Sequence, residues 1–128
     1  MAKKILLVDD EPELLLLVEA RLKANGYEVQ CAGDGQAALE KAKKERPDLI
    51  ILDLMLPKMD GFRVCALLKK DARYAPTPII LFTAKAEEED RKLGEEAGAD
   101  AYITKPFDPQ VLLEKIQHLI EKRPHVET

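Results

Sequence analysis

Five short runs of apolar, β-prone residues alternate along the chain with five longer segments whose apolar residues recur three and four positions apart. No other feature restricts the fold as strongly, because alternating strands and helices form a parallel sheet with helices on both faces. The predicted strands are Lys4–Asp9, Glu28–Ala32, Leu49–Asp53, Ile79–Thr83 and Ala101–Thr104. The predicted helices are Glu11–Asn25, Gly35–Lys44, Phe62–Lys70, Ala86–Ala97 and Pro109–Lys122. We therefore expect a doubly wound α/β fold with a five-stranded sheet in the order 2-1-3-4-5.

Local signals within these segments predict how they begin, end and pack. The first, third and fourth strands are almost continuously apolar, which is typical of strands buried on both faces. Gly26 and Gly98 stand where helices usually end, and Asp10 with Glu13 has the spacing of a capping box at the start of the first helix. The first and last helices each carry an apolar stripe, formed by Leu14, Leu17, Val18 and Leu22, and by Leu112, Ile116, Leu119 and Ile120.

Composition excludes several classes of function. The length of 128 residues fits a single domain, and the net charge of −4 argues against direct binding to nucleic acid or anionic lipid. Cys31 and Cys65 lie far apart with no histidine nearby, so they predict neither a zinc site nor a disulfide framework, and a reducing cytoplasm is expected. No apolar run has the length of a membrane span or a signal peptide.

Polar residues stand where several predicted strands end. Asp9 and Asp10 end the first strand and Asp53 ends the third. In a doubly wound sheet, ligands bind beyond the carboxyl ends of the strands, at the switch point that here falls between the first and third strands. Thr83 ends the fourth strand and Lys105 follows the fifth. We therefore expect three carboxylates, a hydroxyl and an ammonium to converge at one edge of the sheet.

This combination of groups indicates phosphoryl-transfer chemistry. Carboxylates a few ångströms apart repel each other and need a compensating cation. Oxygen ligands without histidine or cysteine favour Mg²⁺, with Mn²⁺ as the alternative. Such an ion neutralises charge on phosphoryl oxygens, and an aspartate beside it can act as the nucleophile and form an aspartyl phosphate. The residues alone therefore predict that the chain accepts a phosphoryl group.

Over essentially its whole length the chain resembles the receiver domain of two-component response regulators, a flavodoxin-like fold that chemotaxis response regulators share. The motifs that carry this resemblance are ILLVDDE, PDLIILDLMLPKMDG, PIILFTA and GADAYITKPF. The resemblance implies a receiver domain at residues 1–124 and a C-terminal tail at 125–128. It also implies that Asp53 is the phosphoacceptor. Asp10, Asp53 and the backbone carbonyl of Met55 would bind Mg²⁺. Asp9 would assist these ligands without binding the ion directly.

The same resemblance implies a switch built on residues at the end of the fourth strand, within the fifth strand and just after the fifth strand. Thr83 and Lys105 would each bind a phosphoryl oxygen, and the peptide bond from Lys105 to Pro106 would be cis, a form that is common only before proline. Tyr102 would turn inward as Thr83 moves toward the phosphoryl group. The added charge would then change the surface formed by the last two helices and the last strand.

The resemblance implies a signalling protein rather than an enzyme, with at most self-catalysed phosphorylation and dephosphorylation. A histidine kinase or a phosphotransfer protein would donate the phosphoryl group. A downstream protein or an output domain would respond to the phosphorylated domain. Ala101 stands where receivers attached to winged-helix transcription factors usually carry an aspartate that pairs across a dimer interface. We therefore expect a monomer or a weak dimer.

Three other classes of protein compete with the switch. A flavin mononucleotide carrier would need a phosphate-binding loop after the first strand, where the chain instead has acidic residues. A Mg²⁺-dependent aspartyl-phosphate hydrolase would need a second acidic residue two positions after Asp53, where Met55 stands. A receiver-fold scaffold that is not phosphorylated would not need the acidic, hydroxyl and lysine set described above.

Overall fold

The structure, a computed structural model, describes residues 2–84 and 88–122, and at residues 83, 88–90 and 122 only the backbone. Its five strands are β1 (Lys4–Val8), β2 (Glu28–Ala32), β3 (Leu49–Asp53), β4 (Ile79–Thr83) and β5 (Ala101–Thr104). Its five helices are α1 (Pro12–Ala24), α2 (Gly35–Glu45), α3 (Gly61–Lys70), α4 (Glu88–Glu96) and α5 (Pro109–Lys122). The strands pair in parallel in the order β2-β1-β3-β4-β5, which confirms the predicted fold.

The register of the sheet brings the carboxyl ends of β1, β3 and β4 to one edge. Val8 pairs with Leu52 of β3, and Asp53 pairs with Phe82 of β4. Every residue of β3 is buried, so that its last residue, Asp53, is carried to the edge by a strand that has helices on both sides. The residues that follow β1 and end β3 therefore lie next to each other.

Two apolar layers hold the sheet. The layer on one face joins β-strand residues such as Leu6 and Ile50 to α2 and α3 through buried side chains that include Ala38 and Val64. The layer on the other face of the sheet joins α1 and α5 to the strand residues whose side chains point to that face. Its buried members include Ile5, Leu7, Leu22, Leu112 and Ile116. The alternation of side chains along each strand distributes these residues between the two layers.

The apolar stripe predicted for α1 was wrong at Leu17. The Leu17 side chain is 69% exposed, whereas Val18 and Leu22 are buried against the sheet. Adjacent residues of a helix point about 100° apart, so Val18 can face the sheet while Leu17 faces away from it. The stripe predicted for α5 is confirmed, because Leu112 and Ile116 are buried and the other two residues pack against the same layer.

The start of α1 is capped differently from the sequence prediction. The predicted capping box of Asp10 and Glu13 was wrong, because Glu11 is the N-cap residue and makes no side-chain capping hydrogen bond. The turn instead uses the Asp9 carboxylate, whose Oδ1 accepts a hydrogen bond from the Glu11 backbone N–H at 2.9 Å. The start of α3 has an ordinary side-chain cap, because the Asp60 carboxylate accepts a hydrogen bond from the backbone N–H of Arg63 at 2.9 Å.

Both glycines predicted to end helices have a backbone that favours glycine. Gly26 and Gly98 each have a φ of +91°, a conformation that side chains with a Cβ atom rarely adopt. The predicted start of the fourth helix at Ala86 and the predicted tail at 125–128 lie outside the described residues. None of the helices in the described part of the chain combines the length and the apolar character of a membrane span.

Candidate functional site

Three aspartates meet at the edge of the sheet where β1 and β3 end. A carboxylate oxygen from each of Asp9, Asp10 and Asp53 lies within 4.8 Å of one from the others. Asp9 and Asp10 directly follow β1, and Asp53 is the last residue of β3. The strand pairing described above is the reason for this cluster, as the sequence predicted.

The three carboxylates differ sharply in their access to water. Asp9 is fully buried and Asp53 is 3% exposed, whereas Asp10 is exposed. Backbone N–H groups support the two buried carboxylates, since Glu11 donates to Oδ1 of Asp9 at 2.9 Å and Met55 donates to Oδ1 of Asp53 at 3.2 Å. The cluster therefore has a fixed, buried base and opens to solvent on the side of Asp10.

Lys105 brings one positive charge into this cluster. Its Nζ donates to Oδ2 of Asp9 at 2.8 Å and to Oδ2 of Asp53 at 3.2 Å, and it lies 3.3 Å from Oε1 of Glu11. The ammonium also lies 5.0 Å from the centroid of the Phe82 ring. The peptide bond that follows Lys105 is cis. Residues that are far apart in the sequence are thus joined by hydrogen bonds across the end of the sheet.

The charges in the cluster are not balanced. Burial raises the pKa of Asp53 above its usual range, and the nearby charge of Asp9 raises it further, against the lowering effects of Met55 and Lys105. Burial disfavours the charge on Lys105, but its hydrogen bond to Asp9 and its attraction to both aspartates raise its pKa overall. Three carboxylates and one ammonium leave the cluster with an excess of negative charge. The cluster therefore attracts a further cation.

This imbalance predicts that Asp53→Asn stabilises the metal-free protein at pH 7. The native state raises the pKa of Asp53 above the ordinary value of 3.8, so the native state binds this proton more tightly than the unfolded state. Stability is consequently lost as the pH rises from the ordinary pKa through the native one. The neutral amide removes that loss. We expect the stability advantage of the variant to grow through this pH window and then to level off.

Urea unfolding followed by circular dichroism between pH 4 and pH 8, with a chelator present, would measure this difference. Glu40→Gln is the matched control, because Glu40 is an exposed carboxylate on α2 and its replacement should change stability by less than about 0.5 kcal/mol. A variant that is less stable than the wild type at pH 7 would contradict the electrostatic account of Asp53.

The donor set suits a hard divalent cation. All three clustered side chains offer carboxylate oxygen, the ligand that Mg²⁺ and Mn²⁺ prefer, and no histidine or cysteine belongs to the cluster. The exposure of Asp10 leaves room for the water ligands that Mg²⁺ tends to keep. Asp9, for which the resemblance implies a supporting role rather than direct binding of the ion, lies in the same cluster as the other two. The residues present therefore fit Mg²⁺.

Of the two predicted switch residues, Thr83 is the last residue of β4 and Tyr102 is the second residue of β5. Thr83 pairs with Thr104 through the sheet, and its side chain lies outside the described part of the chain. Tyr102 is half-buried and packs against the apolar layer that joins the sheet to α2 and α3. The Arg91 guanidinium carbon lies 5.5 Å from the Tyr102 ring centroid. A Cβ atom on Gly94 would lie 3.4 Å from Cδ2 of that ring.

Sequence reasoning missed two contributors to the site. Glu11 gives Lys105 a third carboxylate partner, and the only signal for it was its position directly after the two aspartates. Gly61 lies against the backbone at the end of β3: a Cβ atom there would be 2.3 Å from the carbonyl oxygen of Asp53. No local pattern in the sequence around Gly61 indicates that contact.

Comparisons with known proteins agree with the motifs and the fold. The family model described as response regulator receiver domain matches residues 5–117. The alkaline phosphatase synthesis transcriptional regulatory protein PhoP of Bacillus subtilis is 47% identical over 122 residues, which are 95% of this chain and 50% of that protein. The DNA-binding dual master transcriptional regulator RpaA of Synechocystis is 44% identical over 93% of this chain and 49% of its own length. The chain thus spans about half the length of the curated relatives it matches.

Solved structures share the fold over nearly their whole length. The chemotaxis protein CheY4 of Vibrio cholerae has a TM-score of 0.88 and 37% identity, covering 93% of this chain and 99% of that one. The signal receiver domain of a signal transduction histidine kinase from Syntrophus aciditrophicus has a TM-score of 0.89 and 34% identity, covering 99% and 98%. Coverage this complete means that the similarity extends over the sheet that carries the acidic cluster.

Proposed function

Because this chain belongs to the family of response regulator receiver domains, we propose that it is a phosphorylation-activated signalling switch whose phosphoacceptor is Asp53. One observation carries the proposal: a nearly buried carboxylate at the end of β3 lies beside two other aspartates and a lysine ammonium. This arrangement offers a nucleophile, a place for a cation and a fixed positive charge at one point. Those are the three needs of phosphoryl transfer to a carboxylate.

The proposed reaction transfers a phosphoryl group from a phosphohistidine of a histidine kinase or phosphotransfer protein. An oxygen of Asp53 forms a bond to phosphorus, while the bond from phosphorus to the histidine nitrogen breaks and that nitrogen keeps the electron pair. A small phosphodonor such as acetyl phosphate would react in the same way, with acetate as the leaving group. The Met55 N–H, which donates to Oδ1 of Asp53, keeps that carboxylate oriented.

Lys105 is proposed to hold one oxygen of the transferred group. Its ammonium already lies 3.2 Å from Oδ2 of Asp53, and its bond to Asp9 keeps it in that position. Thr83, at the end of β4, is proposed to donate to another phosphoryl oxygen. Positive charge and hydrogen-bond donors that are fixed in advance stabilise the transition state without having to reorganise.

Mg²⁺, or Mn²⁺ in its place, is proposed as the cofactor of this reaction. Asp10, Asp53 and the Met55 carbonyl would hold it, with Asp9 in support. When bound, the ion neutralises the negative charge of the approaching phosphoryl group. The exposed position of Asp10 and the buried position of Asp9 support this division of roles.

The signal is proposed to leave through α4, β5 and α5. A phosphoryl group adds a charge of about −1.5 to −2 near neutral pH, which would draw Thr83 toward Asp53 and let Tyr102 move inward. Tyr102 already packs beside α4, next to Gly94, so its movement would alter that face. A downstream protein or an output domain would respond to the changed surface.

We further propose that the domain covers residues 1–124 and acts in the cytoplasm as a monomer or weak dimer.

The test is the intact mass of the protein after incubation with acetyl phosphate. We expect a gain of one phosphoryl group with Mg²⁺, no gain with a chelator, and no gain for Asp53→Asn. Because a short-lived adduct could escape detection, binding of beryllofluoride, a phosphoryl mimic, would be followed by NMR in the same samples. If the wild type neither gains mass nor binds beryllofluoride in the presence of Mg²⁺, the proposal is wrong and the scaffold alternative replaces it.

A further inference from the structure

The loop between β3 and α3, residues 54–60, is in backbone contact with the first residue of α2. Gly35 is the first residue of α2, and a Cβ atom on it would lie 2.2 Å from the carbonyl oxygen of Met59 and 2.7 Å from its Cβ. The Gly35 N–H also donates to the carbonyl oxygen of Pro57 at 3.3 Å. The two backbones are therefore in contact at a point where only glycine fits.

The part of the loop that touches Gly35 is a tight turn in an unusual conformation. Lys58 has a φ of +69°, and the Met59 N–H donates to the carbonyl oxygen of Pro57 at 2.7 Å. A residue other than glycine adopts this backbone only when its surroundings hold it there. The Asp34 carboxylate lies 3.6 Å from the Lys58 ammonium and also caps α2 through the Ala37 N–H at 2.8 Å.

The same loop is attached to the acidic cluster at its other end. The Met55 N–H donates to the Asp53 carboxylate, and the Gly61 N–H donates to the carbonyl oxygen of Leu54 at 3.0 Å. Only a few residues separate Met55 from Met59. A shift of the turn that rests on Gly35 would therefore move the Met55 backbone relative to Asp53.

We propose that Gly35 is a positioning residue for the acidic cluster: its contact with Met59 fixes the loop that carries Met55 beside Asp53. This inference rests on the proposed function, in which Asp53 and the Met55 carbonyl hold Mg²⁺. Gly35 itself touches neither the ion nor the phosphoryl group. Its effect is on the affinity for Mg²⁺, in the way that residues behind metal ligands tune metal sites.

Gly35→Ala and Gly33→Ala form a matched pair that tests this role. A Cβ atom on Gly33 would meet nothing within 4 Å, so Gly33→Ala should behave as the wild type. Mg²⁺ titrations of the ¹⁵N-labelled proteins, followed through backbone amide shifts, give the dissociation constant without any phosphorylation. We expect Gly35→Ala to raise that constant about 10-fold or more, and to raise the Mg²⁺ concentration that half-saturates the reaction with acetyl phosphate by a similar factor.

A purely structural role would give a different result. Loss of folded protein lowers the fraction that can be titrated but leaves the dissociation constant of the remaining fraction unchanged. An unchanged Mg²⁺ dissociation constant in folded Gly35→Ala would therefore overturn the proposal. Because the readout is ion binding, it is independent of phosphoryl transfer: if the wild type takes up no phosphoryl group but the constants still differ, the proposed function fails and the positioning role stands.

A second variant keeps the test decisive if Gly35→Ala does not fold. Lys58→Gly relaxes the turn, because glycine adopts a positive φ without strain, and it lets Met59 move away from the new methyl group. We expect the double variant of Gly35→Ala and Lys58→Gly to fold but to keep a raised Mg²⁺ dissociation constant relative to Lys58→Gly alone. Equal constants in these two proteins would contradict the positioning role.

Discussion

Replacing Lys105 with methionine is expected to lower the free energy of unfolding of the metal-free protein at pH 7 by about 3 kcal/mol. The Lys105 ammonium contacts the carboxylates of Asp9 and Asp53, which are 0% and 3% exposed. Its removal leaves two buried carboxylates that repel each other with no cation between them. Breaking a buried ion pair costs about 3–5 kcal/mol. The lower value applies here, because the Lys105 side chain is still 15% exposed to solvent.

Urea unfolding in a chelator, followed by circular dichroism, would measure this loss. Lys44→Met is the matched control, since Lys44 is an exposed lysine on α2 and its loss should change stability by less than about 0.5 kcal/mol. Addition of Mg²⁺ should restore more stability to Lys105→Met than it adds to the wild type, because the ion supplies the missing positive charge. A Lys105→Met protein as stable as the control would contradict the view that this lysine neutralises the pocket.

A double-mutant cycle assigns the loss to the pocket. If the cost of Lys105→Met comes from unpaired carboxylates, the same substitution should cost less in the Asp53→Asn background, where one of those charges is already absent. Equal costs in the two backgrounds would mean that the lysine acts through packing against Phe82 instead. If Asp53→Asn stabilises the protein and Lys105→Met destabilises it, the acidic cluster keeps an excess of negative charge at the expense of stability.

The position of the acidic site could be predicted because the sheet is parallel. Asp9, Asp53 and Lys105 each lie at or just beyond the carboxyl end of an apolar run, and parallel pairing carries such ends to one edge. The order 2-1-3-4-5 is one that doubly wound sheets of five parallel strands commonly adopt. These features depend on periodicities that extend over whole elements, which a single sequence displays directly.

The details that were wrong or missed depend on tertiary contacts. Leu17 is as apolar as Val18, and only the angle at which α1 lies on the sheet decides which of them is buried. The prediction of a capping box at the start of α1 was wrong for a similar reason, because the buried Asp9 carboxylate accepts a hydrogen bond from the Glu11 N–H instead. The close approaches at the first glycines of α2 and α3 join segments that lie apart in the sequence, so no local pattern announces them.

Gly61→Ala is expected to destabilise the protein and to impair phosphorylation of Asp53 together. A Cβ atom on Gly61 would lie 2.3 Å from the carbonyl oxygen of Asp53 and 2.9 Å from Cα of Leu54. Both neighbours are backbone atoms, so a side-chain rotation cannot relieve the overlap, and either the end of β3 or the start of α3 must move. Crowding of this kind in a packed region costs about 1–3 kcal/mol.

The direction of this effect separates it from helix propensity. Gly61 is the first residue of α3, where alanine is intrinsically preferred over glycine in a helix, so propensity alone predicts a more stable protein. Urea unfolding gives the stability, and intact mass after acetyl phosphate and Mg²⁺ gives the extent of phosphorylation, with Gly33→Ala as the unhindered glycine control. A Gly61→Ala protein that is at least as stable as the wild type, and equally phosphorylated, would show that the end of β3 can move without disturbing the acceptor. If the variant is less stable and its folded fraction is also phosphorylated more slowly, the close contact of α3 with the Asp53 backbone is what fixes the acceptor in its reactive position.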